Sequence, residues 1–258
     1  MSLILGSVLP VIILAFYIYN KDKDKEPVGL LVKLFFGGAG SIFITLIVSL
    51  LLSLFFPGIL SGTANLSFIE LFFHVFFGVA LVEESSKWIV LYHTSYNHYQ
   101  FDQVFDMVVY SAFVALGFAC FENILYILQY SKPSTIILRG ICAVPCHFFN
   151  GIFMGYYLSM AKVSDIKKDC SSKKKYMFLS ILIPMLLHGV YDFCLFSGNM
   201  GFIIIFFGFM ICLYIKSFSS IKKMSSENKM LKFNNRYCPY CGTPVRTDFC
   251  TGCGCKNE

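Results

Sequence analysis

The chain has 258 residues, of which 57% are hydrophobic and 14% charged, with 29 Phe and a single Trp. A soluble domain carries roughly a quarter charged residues, so a soluble globular protein is excluded and a polytopic membrane protein is read in its place. The 21 Lys and Arg exceed the 15 Asp and Glu to give a net charge of +6, but no basic cluster is interleaved with aromatics, so no nucleic-acid partner is expected.

Apolar runs of about 20 residues are long enough to cross a bilayer core. Alternation at strand spacing is absent, so the fold class is all-α. About seven transmembrane helices are predicted, over residues 2–19, 30–56, 66–92, 105–129, 135–160, 176–196 and 201–216. No Lys or Arg precedes the first run, and no small-x-small cleavage site follows it before Asn20. It therefore reads as an anchor with the N-terminus outside. The second run carries Gly37-Gly38-Ala39-Gly40, which lets helices approach closely.

The third run contains Glu83-Glu84-Ser85-Ser86-Lys87. One charge at the centre of a membrane helix costs about 2.5–3.5 kcal/mol on insertion scales, so adjacent carboxylates there call for a use. Glu83 and Lys87 share one face at i,i+4, as do Glu70 and His74 nearer the outer end, which are expected to snorkel or pair. His93, His98, Asp102 and Asp106 fall near the inner boundary and read as interfacial. In the fourth run Phe118 and Glu122 share a face. The fifth run is interrupted by Arg139 and Pro145 and holds His147; Arg139 can neutralise an acid from a neighbouring helix. In the sixth, His188 and Asp192 are again i,i+4. The sixth and seventh runs form a hairpin.

Beyond residue 216 the chain changes character. Residues 217–235 are a polar, Lys- and Ser-rich linker, and residues 236–258 carry Cys238-Pro-Tyr-Cys241-Gly and Cys250-Thr-Gly-Cys253-Gly. Two Cys-x-x-Cys knuckles supply the four soft ligands of tetrahedral zinc. Cys255 is a further thiol that can substitute for Cys253. A module this short needs the metal to fold; it resembles a zinc ribbon, with structural zinc as its cofactor, and offers a surface to a cytoplasmic partner. Two disulfides or a redox pair are the weaker readings, because disulfides are rare in a cytoplasmic tail and a thioredoxin-like motif needs a surrounding βαβ unit.

Orientation follows the basic residues. Lys21, Lys23 and Lys25, then Lys162, Lys167, Lys168 and Lys173 to Lys175, then Lys222, Lys223, Lys229 and Lys232 all fall on one side, while the opposite loops hold only Lys132. The expectation is a multi-pass protein of the cell membrane, N-terminus outside and C-terminus cytoplasmic, with its lysines on anionic lipid.

The embedded ionisable groups would together cost on the order of 10 kcal/mol if left apart. They are therefore expected to converge on one another around water. Carboxylates and His in a shielded, hydrated cavity suit general-base hydrolysis, with a His donor for the oxyanion. Counted from the run ends, Glu83 falls in the inner half of its span and Glu122 and Asp192 in the outer half, a difference in depth that the fold must remove.

Three motifs then fall in order on three helices: Glu83-Glu84-x-x-Lys87, Phe118-x-x-x-Glu122 and His188-x-x-x-Asp192. With Lys25-Glu26-Pro27, Phe101-Asp102-x-x-Phe105-Asp106 and Gly117-Phe118-Ala119, they resemble the PrsW family of intramembrane proteases over about residues 10–195. The resemblance implies a glutamic-type peptidase, related to the CAAX prenyl-protein proteases and bacteriocin-processing enzymes. Its expected substrate is a single-pass membrane protein such as an anti-sigma factor, whose first cut begins release of an extracytoplasmic-function sigma factor in a stress response. Carried over by motif, Glu83 activates water and Glu84 pairs with Lys87 or shares the base role. Glu122 helps position or deprotonate the water, and His188 donates to the oxyanion with Asp192 setting its tautomer. Phe118 and Lys87 support the site, as does His147, which matches none of the motifs. No metal is expected in the catalytic site. The competing readings are a metallopeptidase with Glu83, Glu122, His147 and His188 on zinc, a CAAX-type protease, and a proton-coupled transporter or sensor.

Overall fold

The computed structural model describes residues 2–55, 63, 66–130, 132–231, 236–237, 244–245, 250, 252–253 and 255. Its helices are α1 (Ser2–Lys21), α2 (Val28–Phe55), α3 (Phe68–Phe73), a π-helical turn (His74–Ala80), α4 (Leu81–Ser95), α5 (Asp106–Tyr130), α6 (Pro133–Ile141), α7 (Ala143–Ile166), α8 (Cys170–Phe196) and α9 (Met200–Ser226). Among the described residues, five segments are long and apolar enough to cross a membrane: α2, α5, α6 with α7, α8 and α9. Residues 8–21 of α1 add a shorter apolar helix. The protein is an all-helical, polytopic membrane protein.

Two of the expected spans are broken. The third is α3, a π turn and α4 in succession. Ser67 starts it with a capping box, its backbone N–H donating to Glu70 Oε2 at 2.8 Å. Glu70 is thus engaged at the cap, and is not paired with His74. The fifth divides at Cys142 (φ −113°, ψ −55°) into α6 and α7. Pro145 then lies in the first turn of α7, where a missing N–H costs nothing.

α5 and α7 form the inside of the bundle. Of the spanning windows, 67% of α5 and 72% of α6–α7 are buried, against 17% of α2 and 22% of α9. The outer helices expose the apolar side chains that lipid would cover. α2 and α5 approach at backbone contact. A Cβ on Gly38 would stand 2.0 Å from Val114 O, and one on Gly117 1.9 Å from Phe35 O. Only glycine permits that separation.

At the lysine-rich end the chain is tied together by polar contacts. Asp106, the first residue of α5, is fully buried within the protein, and its Oδ2 accepts the backbone N–H groups of Asp102 and Gln103 at 3.0 and 2.7 Å. The Tyr110 hydroxyl donates to Glu26 Oε2. α9 continues past Lys216 to Ser226, where Ser225 Oγ donates to Lys21 O. The strand-like residues after it lie along the α4–α5 loop: Val104 N–H donates to Lys229 O at 3.0 Å, Leu231 N–H to Asp102 O at 2.6 Å and Phe105 N–H to Asn228 Oδ1 at 3.0 Å.

In the tail, β1 (Arg236–Tyr237) and β2 (Pro244–Val245) pair antiparallel. Gly252 N–H lies 3.3 Å from Cys250 Sγ, and Cys250 N–H donates to Cys255 O at 2.7 Å. Cys238 and Cys241 lie outside the described residues.

Candidate active site

Five helices bring the embedded polar residues together. Glu83, Glu84 and Lys87 occupy the start of α4, just after the π turn. A π turn closes its hydrogen bonds at i→i+5 and rotates the next turns of helix relative to a continuous α-helix. Its Phe76 ring lies on Gly189 of α8, where a Cβ would stand 2.4 Å from Phe76 Cδ1. This contact seats the π turn directly beside His188.

Glu84 and Lys87 are each 1% exposed. Lys87 Nζ donates to Glu84 Oε1 at 2.8 Å and reaches Glu83 Oε2 at 3.5 Å. It also stands 3.1 Å from His147 Nδ1 and 3.9 Å from the centroid of the Phe118 ring. An ammonium can only donate, so His147 Nδ1 accepts and its proton sits on Nε2. That Nε2–H meets Glu122 Oε2 at 2.9 Å. The same carboxylate oxygen forms an ion pair with Arg139 Nη2 at 2.7 Å.

Glu84 Oε1 also accepts from His188 Nδ1 at 2.9 Å, which places a proton on Nδ1 and leaves Nε2 facing inward. His188 Nε2 lies 3.4 Å from Asp192 Oδ2 and 3.9 Å from Glu83 Oε2. The tautomer of His188 is therefore set by Glu84; Asp192 stands at the other ring nitrogen. Glu83 Oε2 is buried and makes no hydrogen bond among the described residues. The two histidine rings meet edge to face with centroids 5.1 Å apart.

All of Glu83, Glu84, Lys87, Phe118, Glu122, His147, His188 and Asp192 thus lie in one connected cluster. The anticipated difference in depth is absent. Counting from run ends assumes that every run begins and ends at one level, whereas α8 starts at Cys170 and α4 comes after a separate short helix. Glu122 and His188 each lie about two turns, or about 12 Å, from the ends of their helices opposite the lysine-rich loops. Sequence reasoning gave no role to Asn123, which follows Glu122 in the family-like stretch and whose Oδ1 accepts from Arg139 Nε at 2.8 Å, and missed Tyr126, whose ring lies 3.7 Å beneath the Arg139 guanidinium. Their positions beside and one turn after Glu122 were the available signal.

The cluster can also be tested as a metal centre. One donor atom each from Glu83, His147 and His188 lie within 4.8 Å of one another. Each imidazole is backed by a carboxylate, Glu84 or Glu122, as metal-bound histidines commonly are. Glu83 Oε2 and His188 Nε2 are available as donors. The third corner, His147 Nδ1, faces the Lys87 ammonium, which an ion would have to displace.

A family model described as "PrsW family intramembrane metalloprotease" matches residues 26–216. The chain is 34% identical over 231 residues to a protein named Protease PrsW from Oceanobacillus iheyensis, covering 90% of this chain and 99% of the relative. It is 34% identical over 230 residues to Protease PrsW from Bacillus subtilis, covering 89% and 98%. Protease PrsW from Clostridioides difficile is 32% identical over 240 residues, covering 91% and 96%. No solved structure matches.

Proposed function

The chain belongs to the PrsW family of intramembrane proteases, and on that premise we propose that it hydrolyses a peptide bond of a membrane-anchored protein with Glu83 as the water-activating base. The observation that carries this reading is the inequality of the two glutamates. Glu84 is held by Lys87 and His188 at 2.8 and 2.9 Å, whereas Glu83 Oε2 has no hydrogen-bond partner among the described residues.

In this mechanism a water between Glu83 and His188 gives a proton to Glu83 Oε2 as its oxygen attacks the scissile carbonyl carbon. Protonated His188 Nε2 donates to the oxyanion while Glu84 holds its Nδ1–H. Collapse of the tetrahedral intermediate breaks the C–N bond, and Glu83 passes its proton to the departing amine. Asp192 stabilises the imidazolium from the Nε2 side. Lys87 keeps Glu84 ionised, Phe118 covers the Lys87 ammonium, and Glu122 orients His147.

The proposed substrate is a single-pass protein such as an anti-sigma factor, cut first at this site so that an extracytoplasmic-function sigma factor is released. Family resemblance supports it. The one-sided lysines support an N-terminus outside and a cytoplasmic C-terminus. Four tail thiols, Cys238, Cys241, Cys250 and Cys253, are proposed to hold structural zinc. The Gly252 N–H beside Cys250 Sγ favours a thiolate there.

A second reading is favoured by the three clustered donors. Glu83, His147 and His188 would hold a divalent cation, which would supply a more acidic water and polarise the scissile carbonyl. Membrane fragments from cells with wild-type and Glu83→Gln protein are compared to find the substrate, from which a single-pass reporter is built. Glu83→Gln is expected to abolish reporter cleavage at unchanged protein level; retained cleavage sinks the general-base mechanism. Inactivation by chelator and recovery with zinc, in a variant whose tail cysteines are serine, would establish the metal reading instead.

A further inference from the structure

Arg139 enters the site from α6, a nine-residue helix that is not continuous with α7. The break at Cys142 lets α6 lean on α1, where a Cβ on Gly140 would meet the Pro10 ring at 3.2 Å and one on Gly6 the Ile136 side chain at 3.5 Å. From there the arginine reaches across to one face of α5. Its Nη2 forms an ion pair with Glu122 Oε2 at 2.7 Å, its Nε donates to Asn123 Oδ1 at 2.8 Å, and its guanidinium lies 3.7 Å over Tyr126. A planar guanidinium can serve a carboxylate, an amide and an aromatic face at once; a lysine cannot.

Position in the network gives this clamp its consequence. Glu122 Oε2 is shared between Arg139 and His147 Nε2, and His147 Nδ1 is the acceptor for Lys87 Nζ. Lys87 in turn holds Glu84, which holds His188 Nδ1. The chain of contacts from Arg139 to His188 thus crosses α6, α5, α7, α4 and α8. Arginine stays protonated in proteins, so it supplies the fixed end: Glu122 remains an acceptor, His147 keeps its proton on Nε2, and Lys87 keeps a lone pair to donate into.

From this geometry we infer that Arg139 is a positioning residue of the protease, acting through Glu122 to hold the His147 tautomer and the Lys87–Glu84–His188 alignment. The inference rests on the hydrolytic reading of this cluster. It adds a residue from outside the three motifs, and it gives α1 a role in the site, because α1 supports the helix from which the arginine reaches.

The experiment is a double-mutant cycle on the full-length protein in detergent with the single-pass reporter. Arg139→Gln is expected to lower kcat by about 100-fold, the scale of a misaligned acid–base group, with KM nearly unchanged. If the arginine acts through Glu122, Arg139→Gln adds no further loss in a Glu122→Gln background. Multiplying losses, or a wild-type kcat in Arg139→Gln, overturn the proposal. Should Arg139→Gln fail to fold, Arg139→Lys decides: the charge is kept but one ammonium cannot hold Glu122 and Asn123 together, so kcat falls by about tenfold. A wild-type kcat in Arg139→Lys overturns the inference. Full activity in Glu122→Ala would remove the hydrolytic reading of Glu122 and the inference with it, a failure distinct from a wild-type kcat in Arg139→Gln with Glu122→Ala inactive.

Discussion

Adjacent residues on an α-helix point about 100° apart, and at Glu83 and Glu84 this rotation separates two identical side chains into two environments. Glu84 turns to Lys87 and His188 Nδ1; Glu83 Oε2 lies 3.5 Å from Lys87 Nζ and 3.9 Å from His188 Nε2 and has no hydrogen-bond partner among the described residues. A second acid outside the spans is perturbed differently. Glu26 lies between α1 and α2, 7% exposed, with the Tyr110 hydroxyl on its Oε2. Burial pushes its pKa up to about 7; the Tyr110 hydrogen bond opposes this, and the negative charges of Asp22 and Asp102 add to it. Because the folded state holds this proton more tightly than the unfolded chain, its contribution to stability is complete below about pH 4.5 and is lost as pH rises through about 7. The unfolding midpoint in detergent is therefore expected to fall between about pH 5 and pH 8, and Glu26→Gln to flatten that fall. An equally steep fall in the Gln variant would assign the proton elsewhere. The clustering of the site residues was legible because a charged side chain in an apolar run is conspicuous by its cost. Glu26 and Asp106 were not legible as buried groups, because a run boundary in sequence does not reveal what packs over it.

At the scale of helices, long apolar runs announced themselves, and the interruptions inside them did not. Nothing in the composition of residues 74–80 distinguishes a π turn from α-helix, and the packing of its Phe76 against Gly189 joins it to an element more than 100 residues away in sequence. The division of α6 from α7 was signalled by Arg139 and Pro145, but the side to which α6 leans depends on α1. The glycine run in α2 was readable as a close contact, and Gly117 of α5 is its partner. A methyl group at Gly117 would be driven into Phe35 O of α2, so the backbones must separate. Gly117→Ala is expected to destabilise by about 1–3 kcal/mol, as overpacked interiors do, and to lower reporter cleavage, because α5 carries Glu122. Gly40→Ala meets nothing within 4 Å and is the control. Thermal unfolding in detergent measures both; equal midpoints would show that the α2–α5 contact is looser than its geometry.

Across the whole molecule, the bundle places its buried ionisable cluster away from the lysine-rich loops and the start of its tail, residues 228–231, beside the α4–α5 loop. The tail is joined by more than a tether. The side chains of Leu213, Ser217 and Ile221 in α9 are buried, and residues 228–231 continue the contact by bonding to the loop that leads into α5. By composition alone the core ends near residue 216, because the lysines and serines beyond it look like linker. The packing instead runs along one helix face and a short strap, and polar residues off that face hide both. Two truncations separate these descriptions. Ending the chain after Leu231 removes the cysteine-rich module and, with it, the proposed zinc; about one equivalent of zinc is expected to be lost, while the unfolding midpoint and reporter cleavage are retained. Ending it after Lys222 also removes the Ser225–Lys21 bond and the strap, so the midpoint should fall and cleavage with it, since the α4–α5 loop then loses its bonds to residues 228–231. If both truncations cut equally well, the strap contributes nothing to the α5 entrance. If both are dead but inserted and folded, the module itself takes part in catalysis, and the boundary between protease and tail has to be redrawn around the zinc.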